Sequence, residues 1–182
     1  MILKQLRLRN FRRYAELALE FPENVIGIIG RNGAGKSTLL EAIAWALYGS
    51  RAVRTEKILL RRQQAPAGEP CEVELAFAIA GENYRVVRSL RGAAGNVEAA
   101  LYRAGQHEAI ALRESGVNAE IAHVLGLDRE SFEVSIFAKQ KELAALSSLT
   151  DEPRRKLISR LLALEAIDRA AREGEDLAFL CR

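Results

Sequence analysis

The sequence predicts an α/β domain in which one glycine-rich corner is set among antiparallel strands. Three observations carry that reading. An apolar run, VIGII at residues 25–29, leads into GRNGAGKST at residues 30–38, and an amphipathic pattern follows at once. From Cys71 onward, alternating apolar and polar residues recur between short glycine-bearing turns. The chain has 182 residues, enough for one domain with a sizeable core.

The elements can be taken in order. Residues 2–9 carry Ile2, Leu6 and Leu8 on one parity, with Lys4 interrupting. Residues 15–21 alternate more cleanly through Leu17, Leu19 and Phe21, and the short polar link predicts an antiparallel pair. The nearly continuous apolar run at 25–29 predicts a strand covered on both faces. Behind the glycines, Leu39, Leu40, Ile43, Ala44 and Leu47 have helical spacing, which Gly49 ends. CEVELAFAIA, YRVVRSL, VEAALYR and AIAL, with turns at Gly81, RGAAGN and Gly105, predict a β-meander. Residues 115–125 predict a helix with Ile121, Val124 and Leu125 on one face. Residues 128–148 mix both periodicities and leave helix and strand open.

Asp151 opens the last segment as an N-cap, with Pro153 in the first turn. Leu157, Leu161, Leu164 and Ala171 lie near heptad spacing, but Asp168 and Gly174 interrupt it. Composition and spacing leave both a coiled-coil start and an ordinary docked helix open. The expected division is residues 1–150 as the main lobe and 151–182 as a separate helical arm.

Composition narrows the class. Apolar residues make up 49%, which fits a globular domain. The net charge of +3, from 27 basic and 24 acidic residues, is too small to establish a nucleic-acid partner. Between residues 51 and 64 there are five basic residues (Arg51, Arg54, Lys57, Arg61, Arg62) against the single acid Glu56. The favoured reading of that run is a solvated face, with phosphate or DNA contact as the alternative. Cys71 and Cys181 form no CxxC pair, so reduced thiols are expected rather than a zinc or redox site. Lys4, Arg7 and Arg9 break up the start, and no run is long enough to span a bilayer, so a cytoplasmic location is expected.

The chemistry is concentrated at residues 30–38, which satisfy G-x-x-x-x-G-K-[ST]. Gly30, Gly33 and Gly35 permit a close backbone approach that a Cβ would block. Successive N–H groups can then face one phosphate, reinforced by the positive end of the helix that follows. In this pattern Lys36 is expected to bridge the β- and γ-phosphates of ATP, and Ser37 to place its hydroxyl on Mg²⁺. A second metal carboxylate usually ends an apolar strand. Glu72, Glu74 and Glu133 sit in alternating or mixed patterns instead. The chain is therefore expected to bind nucleotide but to hydrolyse it poorly alone.

NFRRY, then GRNGAGKSTLLEAIAWALYG, then FAKQKEL, in that order, resemble the N-terminal lobe of the SbcC family. These are double-strand-break repair ATPases of the SMC-like branch of ABC ATPases. The resemblance implies an ABC-type P-loop NTPase half-head with an antiparallel β-meander subdomain and the start of a coiled-coil arm. It implies that Arg12 and Arg13 approach the phosphates. Asn32, Gly33, Ala34, Gly35, Lys36, Ser37 and Thr38 then form the cradle, and Gln140 contacts Mg²⁺ or the attacking water. Residues 58–65 would lie near the adenine. LSSLTDE, from Leu146, lacks the glycines of a signature motif.

The implied partners are a C-terminal lobe carrying the remaining catalytic acids, a second head in a homodimer, an SbcD-type nuclease and double-stranded DNA, at the nucleoid. Four rival readings stay open from the residues: a RecF-like ATPase, an ABC transporter ATPase subunit, a P-loop kinase, and a module whose nucleotide is structural.

Overall fold

A computed structural model describes residues 1–23, 25–53, 56–66, 68–92, 94–129, 131, 132, 150 and 152. The chain divides into two compact units, Met1–Gly126 and Leu127–Arg182. In the second, Asp128, Ser131 and Phe132 share one turn: the Ser131 N–H donates to Asp128 Oδ1 at 2.7 Å, and the Phe132 N–H to the Asp128 carbonyl at 2.9 Å. The expected arm at 151–182 lies outside the described residues save Glu152.

The first unit is built on a six-stranded sheet of order β2-β1-β3-β4-β5-β6. Its strands are β1 (Ile2–Phe11), β2 (Tyr14–Glu20), β3 (Cys71–Ile79), β4 (Glu82–Arg91), β5 (Asn96–Arg103) and β6 (Ala111–Leu112). Every neighbouring pair is antiparallel. The alternation seen in sequence decides the faces. Leu6 and Leu8 of β1 stand opposite Leu75 and Val73 of β3, and Val86 and Leu90 of β4 continue the row. All six are at most 2% exposed. The opposite parity carries charge: Glu74 lies between Arg7 and Arg85 at 3.8 and 3.4 Å.

Helix α1 (Lys36–Tyr48) covers the apolar face, touching β1, β3 and β4. Its C-terminal part is buried all round, from Ala42 to Tyr48, as expected of a helix enclosed by other elements. Trp45 meets Phe11 with ring centroids 5.8 Å apart. A large apolar side chain sealed this way stabilises by about 1.5–3 kcal/mol relative to exposure. A 3₁₀ turn (Gly49–Ala52) and a short helix α2 (Lys57–Leu60) follow α1. Helix α3 (Arg113–Leu125) packs against β5, β6 and α1 through buried Val117 and Ile121. Among the described residues no helix is long and apolar enough to cross a membrane.

Residues 25–29 correct the expectation of a covered strand. They adopt no strand and pair with no other described segment. Val25 is 99% and Ile29 96% exposed. An apolar run becomes a central strand only when neighbours take its backbone groups and cover its faces. The sheet of this unit ends at β2 without reaching it.

Candidate nucleotide site

The glycine corner is exposed at residues 31–34 and passes directly into α1. Gly33 (φ 78°) and Gly35 (φ 104°) occupy the left-handed region, where a side chain would be strained. Gly35 is the N-cap of α1 and offers no side chain to the free N–H groups, and no acidic residue lies in the first turn. Thr38 and Leu39 donate back to the Gly35 carbonyl at 2.9 and 3.2 Å. The N–H groups of Lys36 and Ser37 have no acceptor among the described residues. A helix start without a cap needs an external acceptor, and the dipole favours an anion there. The Lys36 ammonium donates to the carbonyls of Gly30 at 2.5 Å and Arg31 at 2.9 Å, so its charge is held against the same loop. Open amides plus a nearby ammonium fit a phosphate group.

The turn between β1 and β2 braces this corner. Tyr14 donates its hydroxyl to the Gly35 carbonyl at 3.3 Å. A Cβ at residue 35 would stand 2.6 Å from that hydroxyl oxygen and 2.7 Å from Arg13 Cδ. Arg12 Nε lies 3.3 Å from Glu41 Oε2 on α1. Both Asn10 (φ 49°) and Arg12 (φ 53°) have left-handed backbones, a conformation that persists only when surroundings hold it. The hold is visible. The Arg12 N–H donates to the Leu60 carbonyl at 2.7 Å, and the Arg62 N–H to the Asn10 carbonyl at 2.8 Å. The Asn10 amide donates to Glu69 Oε2 at 3.0 Å and to the Pro70 carbonyl at 3.3 Å.

The expected residues therefore meet in part. Of the loop that contains Asn32, Gly33, Ala34, Gly35, Lys36, Ser37 and Thr38, Arg13 stands beside Gly35, while Arg12 pairs with Glu41 further along α1. Residues 60–62, part of the segment expected near the adenine, run against the Asn10–Arg12 turn. Gln140 lies outside the described residues. In the basic run, Arg51 and Lys57 are exposed, as a solvated face requires, while Arg61 and Arg62 are half-exposed and donate to the nearby carbonyls of Pro66 and Gln64. Sequence reasoning missed Tyr14, Glu41 and Arg88. Tyr14 and Glu41 carried no periodic signal. Arg88 shares the buried parity of Val86 and Leu90, and a charge on a core parity was legible as an anomaly. Among the described residues no cluster of three or more potential metal ligands exists.

The profile of a family described as an AAA domain matches residues 5–176. The chain belongs to that AAA domain family. Membership implies nucleotide binding, consistent with the open helix start. The DNA double-strand break repair Rad50 ATPase of Methanocaldococcus jannaschii is 31% identical over 93% of this chain and 16% of its own length. That of Methanococcus maripaludis is 32% identical over 94% of this chain and 16% of its own length, and that of Halobacterium salinarum 33% over 94% and 19%. These relatives bear out the resemblance to SMC-like double-strand-break repair ATPases. The chain spans under a fifth of the length of these curated relatives. A solved SMC head domain from Thermotoga maritima is 27% identical, with TM-score 0.47, over 66% of this chain and 42% of that one.

Proposed function

We propose that this chain is the ATP-Mg²⁺-binding N-terminal lobe of an SMC-like double-strand-break repair ATPase, with hydrolysis dependent on a C-terminal lobe. The observation that carries the proposal is the uncapped start of α1, where the N–H groups of Lys36 and Ser37 have no acceptor among the described residues and lie beside the Lys36 ammonium. Gly33, Ala34, Gly35, Lys36, Ser37 and Thr38 hold the phosphates by main-chain donors and one charge. Asn32 borders them, Arg13 adjoins Gly35, and Arg12, paired with Glu41 on α1, would turn toward the phosphates. Ser37 and Gln140 would hold Mg²⁺, which supplies charge neutralisation across the phosphates. Lys36 and Gln140 take the catalytic roles, Lys36 by stabilising charge on the transferring phosphate and Gln140 by orienting water.

The exposed residues 25–29 support the two-lobe reading. They are apolar, and they lie directly before the phosphate loop. Strands from a second lobe would cover them and bring the missing carboxylate to the same corner. The division at 150/151, a second head and a homodimer follow as part of the proposal. So do an SbcD-type nuclease, double-stranded DNA and a place at the nucleoid. The relatives' names mention DNA double-strand break repair, which is why DNA stands among the proposed partners.

A titration with Mg-ATP tests the core of this. Lys36→Ala removes a charge whose hydrogen bonds, among the described residues, are to the loop, so the fold should survive. Affinity should fall roughly 100-fold, the loss of about 2.7 kcal/mol. Unchanged affinity would defeat the proposal. Turnover should appear only on mixing with the complementary lobe. Turnover by this chain alone would favour a phosphotransferase.

A further inference from the structure

We propose that Arg88 is a positioning residue for the phosphate site, clamping the buried end of α1 to α3 so that nucleotide bound at the other end of α1 is registered at α3. The inference rests on the nucleotide-binding reading above.

Arg88 projects from the core face of β4 and is 0% exposed. Its Nε donates to the Ala46 carbonyl at 2.7 Å and its Nη2 to the Leu47 carbonyl at 3.0 Å. Those are carbonyls of the last turn of α1, which no further turn of helix would satisfy. A cation there also faces the negative end of the helix dipole. Nη2 reaches in addition to Asn118 Oδ1 on α3, at 2.6 Å. One helical turn earlier on α3, Glu114 Oε1 accepts from the Ser50 N–H at 2.7 Å. α3 thus reaches the end of α1 by two routes from one face of the helix, Asn118 through Arg88 and Glu114 through Ser50 in the 3₁₀ turn that follows α1. Gly49 lets the groups close up: a Cβ there would stand 2.5 Å from Glu114 Oε1 and 3.1 Å from Arg88 Nη1.

This joint is a costly way to end a helix. Burial draws the Arg88 pKa down to about 10, partly offset by the charge of Glu114. Arg88 Nη1 and Ser50 Oγ are buried with no hydrogen-bond partner among the described residues. Buried ions are weak contributors to stability compared with well-packed apolar groups. What a planar fork does that an apolar residue cannot is hold two elements in fixed register. The register matters because of leverage. α1 has 13 residues, about 20 Å at 1.5 Å per residue. Its C-terminal part is sealed in the core, and its first turn is exposed or half-exposed save for Leu39. A tilt of about 3° at the anchored end moves the open amides by about 1 Å, a displacement that matters to phosphate geometry.

Hydrogen exchange of the full chain with and without saturating Mg-ATP tests this, using wild type, Arg88→Lys and Asn118→Ala. In wild type, Mg-ATP should slow exchange across residues 113–125 at least threefold. Asn118→Ala removes a half-buried group at the edge of the joint and should keep the unliganded fold. Lysine keeps the charge but cannot span two carbonyls and an amide together. In both variants Mg-ATP should still bind, about three- to tenfold more weakly, while the response of α3 is lost. A wild-type response retained in Asn118→Ala would overturn the clamp and leave the nucleotide reading standing, as would a wild type that binds Mg-ATP without any response at α3. Failure of the wild type to bind Mg-ATP would remove both.

Discussion

The hydroxyl of Tyr14 donates to the carbonyl of Gly35 at 3.3 Å, and the same oxygen occupies the space a side chain at residue 35 would need. The β1–β2 turn and the phosphate loop are thereby fitted to one another. Gly35→Ala meets two penalties, a left-handed backbone at φ 104° and a Cβ 2.6 Å from Tyr14. The strain alone is of order 1–3 kcal/mol. Denaturant unfolding should show a loss of that size or more, and Mg-ATP titration should show binding lost. Tyr14→Phe removes only the hydrogen bond and should cost about 0.5–1.5 kcal/mol. Wild-type stability in Gly35→Ala would mean that the turn does not press on the loop.

The brace on the far side of that turn is pH-sensitive. Glu69 has its carboxyl held below the ordinary carboxylate value, first by the Asn10 amide bond, with Arg9 adding a smaller effect against a burial penalty. For a lowered acid, the favourable contribution is complete above the unfolded value and is lost as pH falls through the folded one. NMR titration of the Glu69 carboxyl should therefore give a midpoint below 4.5, the ordinary value. In Asn10→Ala that midpoint should return toward the ordinary value. A midpoint indifferent to Asn10 would remove the amide as its cause.

Cys71 provides a test of core integrity. Burial pushes its thiol up to about 12 from an ordinary 9.0, with Arg61 opposing and Glu72 adding slightly. The thiolate is the nucleophile, so the folded thiol should be inert at pH 8. Iodoacetamide followed by mass spectrometry should modify Cys71 only at the rate of unfolding, and rapidly in denaturant. The raised value also fixes a sign. The stabilisation from keeping the thiol neutral is whole below about 9 and lost as pH rises toward 12. Fast modification of the native chain would contradict a core sealed at β3.

Much of this fold was legible because it is local. Alternation through Leu17 and Leu19, and through Val73, Leu75 and Phe77, marks strands whose neighbours in sequence are also their partners. The phosphate loop and the stop at Gly49 rest on single-residue backbone demands, which spacing reveals. Residues 25–29 have an equally strong apolar signal, but pairing is a property of two segments and the partner cannot be read from one of them. Arg88 was legible as a charge on a core parity, but what it binds was hidden for a related reason. Its acceptors lie on α1 and α3, about 30 to 40 residues away on either side in sequence. The bracing of the loop by Tyr14 and Glu41 likewise depends on tertiary placement.

The exposed run gives the sharpest test of the two-lobe proposal. Val25 at 99% and Ile29 at 96% exposure have almost nothing to lose in the chain as it stands. Replacing both with Lys should shift its stability by no more than about 0.5 kcal/mol, the ordinary effect of surface changes. Mg-ATP affinity should also remain close to wild type, because the phosphate donors begin beyond Gly30. If these residues become a covered strand in the complete head, two buried charges would cost several kcal/mol there. Turnover restored by the complementary lobe should then fall at least 100-fold, with co-purification of the two lobes lost. Undiminished turnover in the doubly charged variant would mean that residues 25–29 stay in solvent, and the second lobe would have to dock elsewhere.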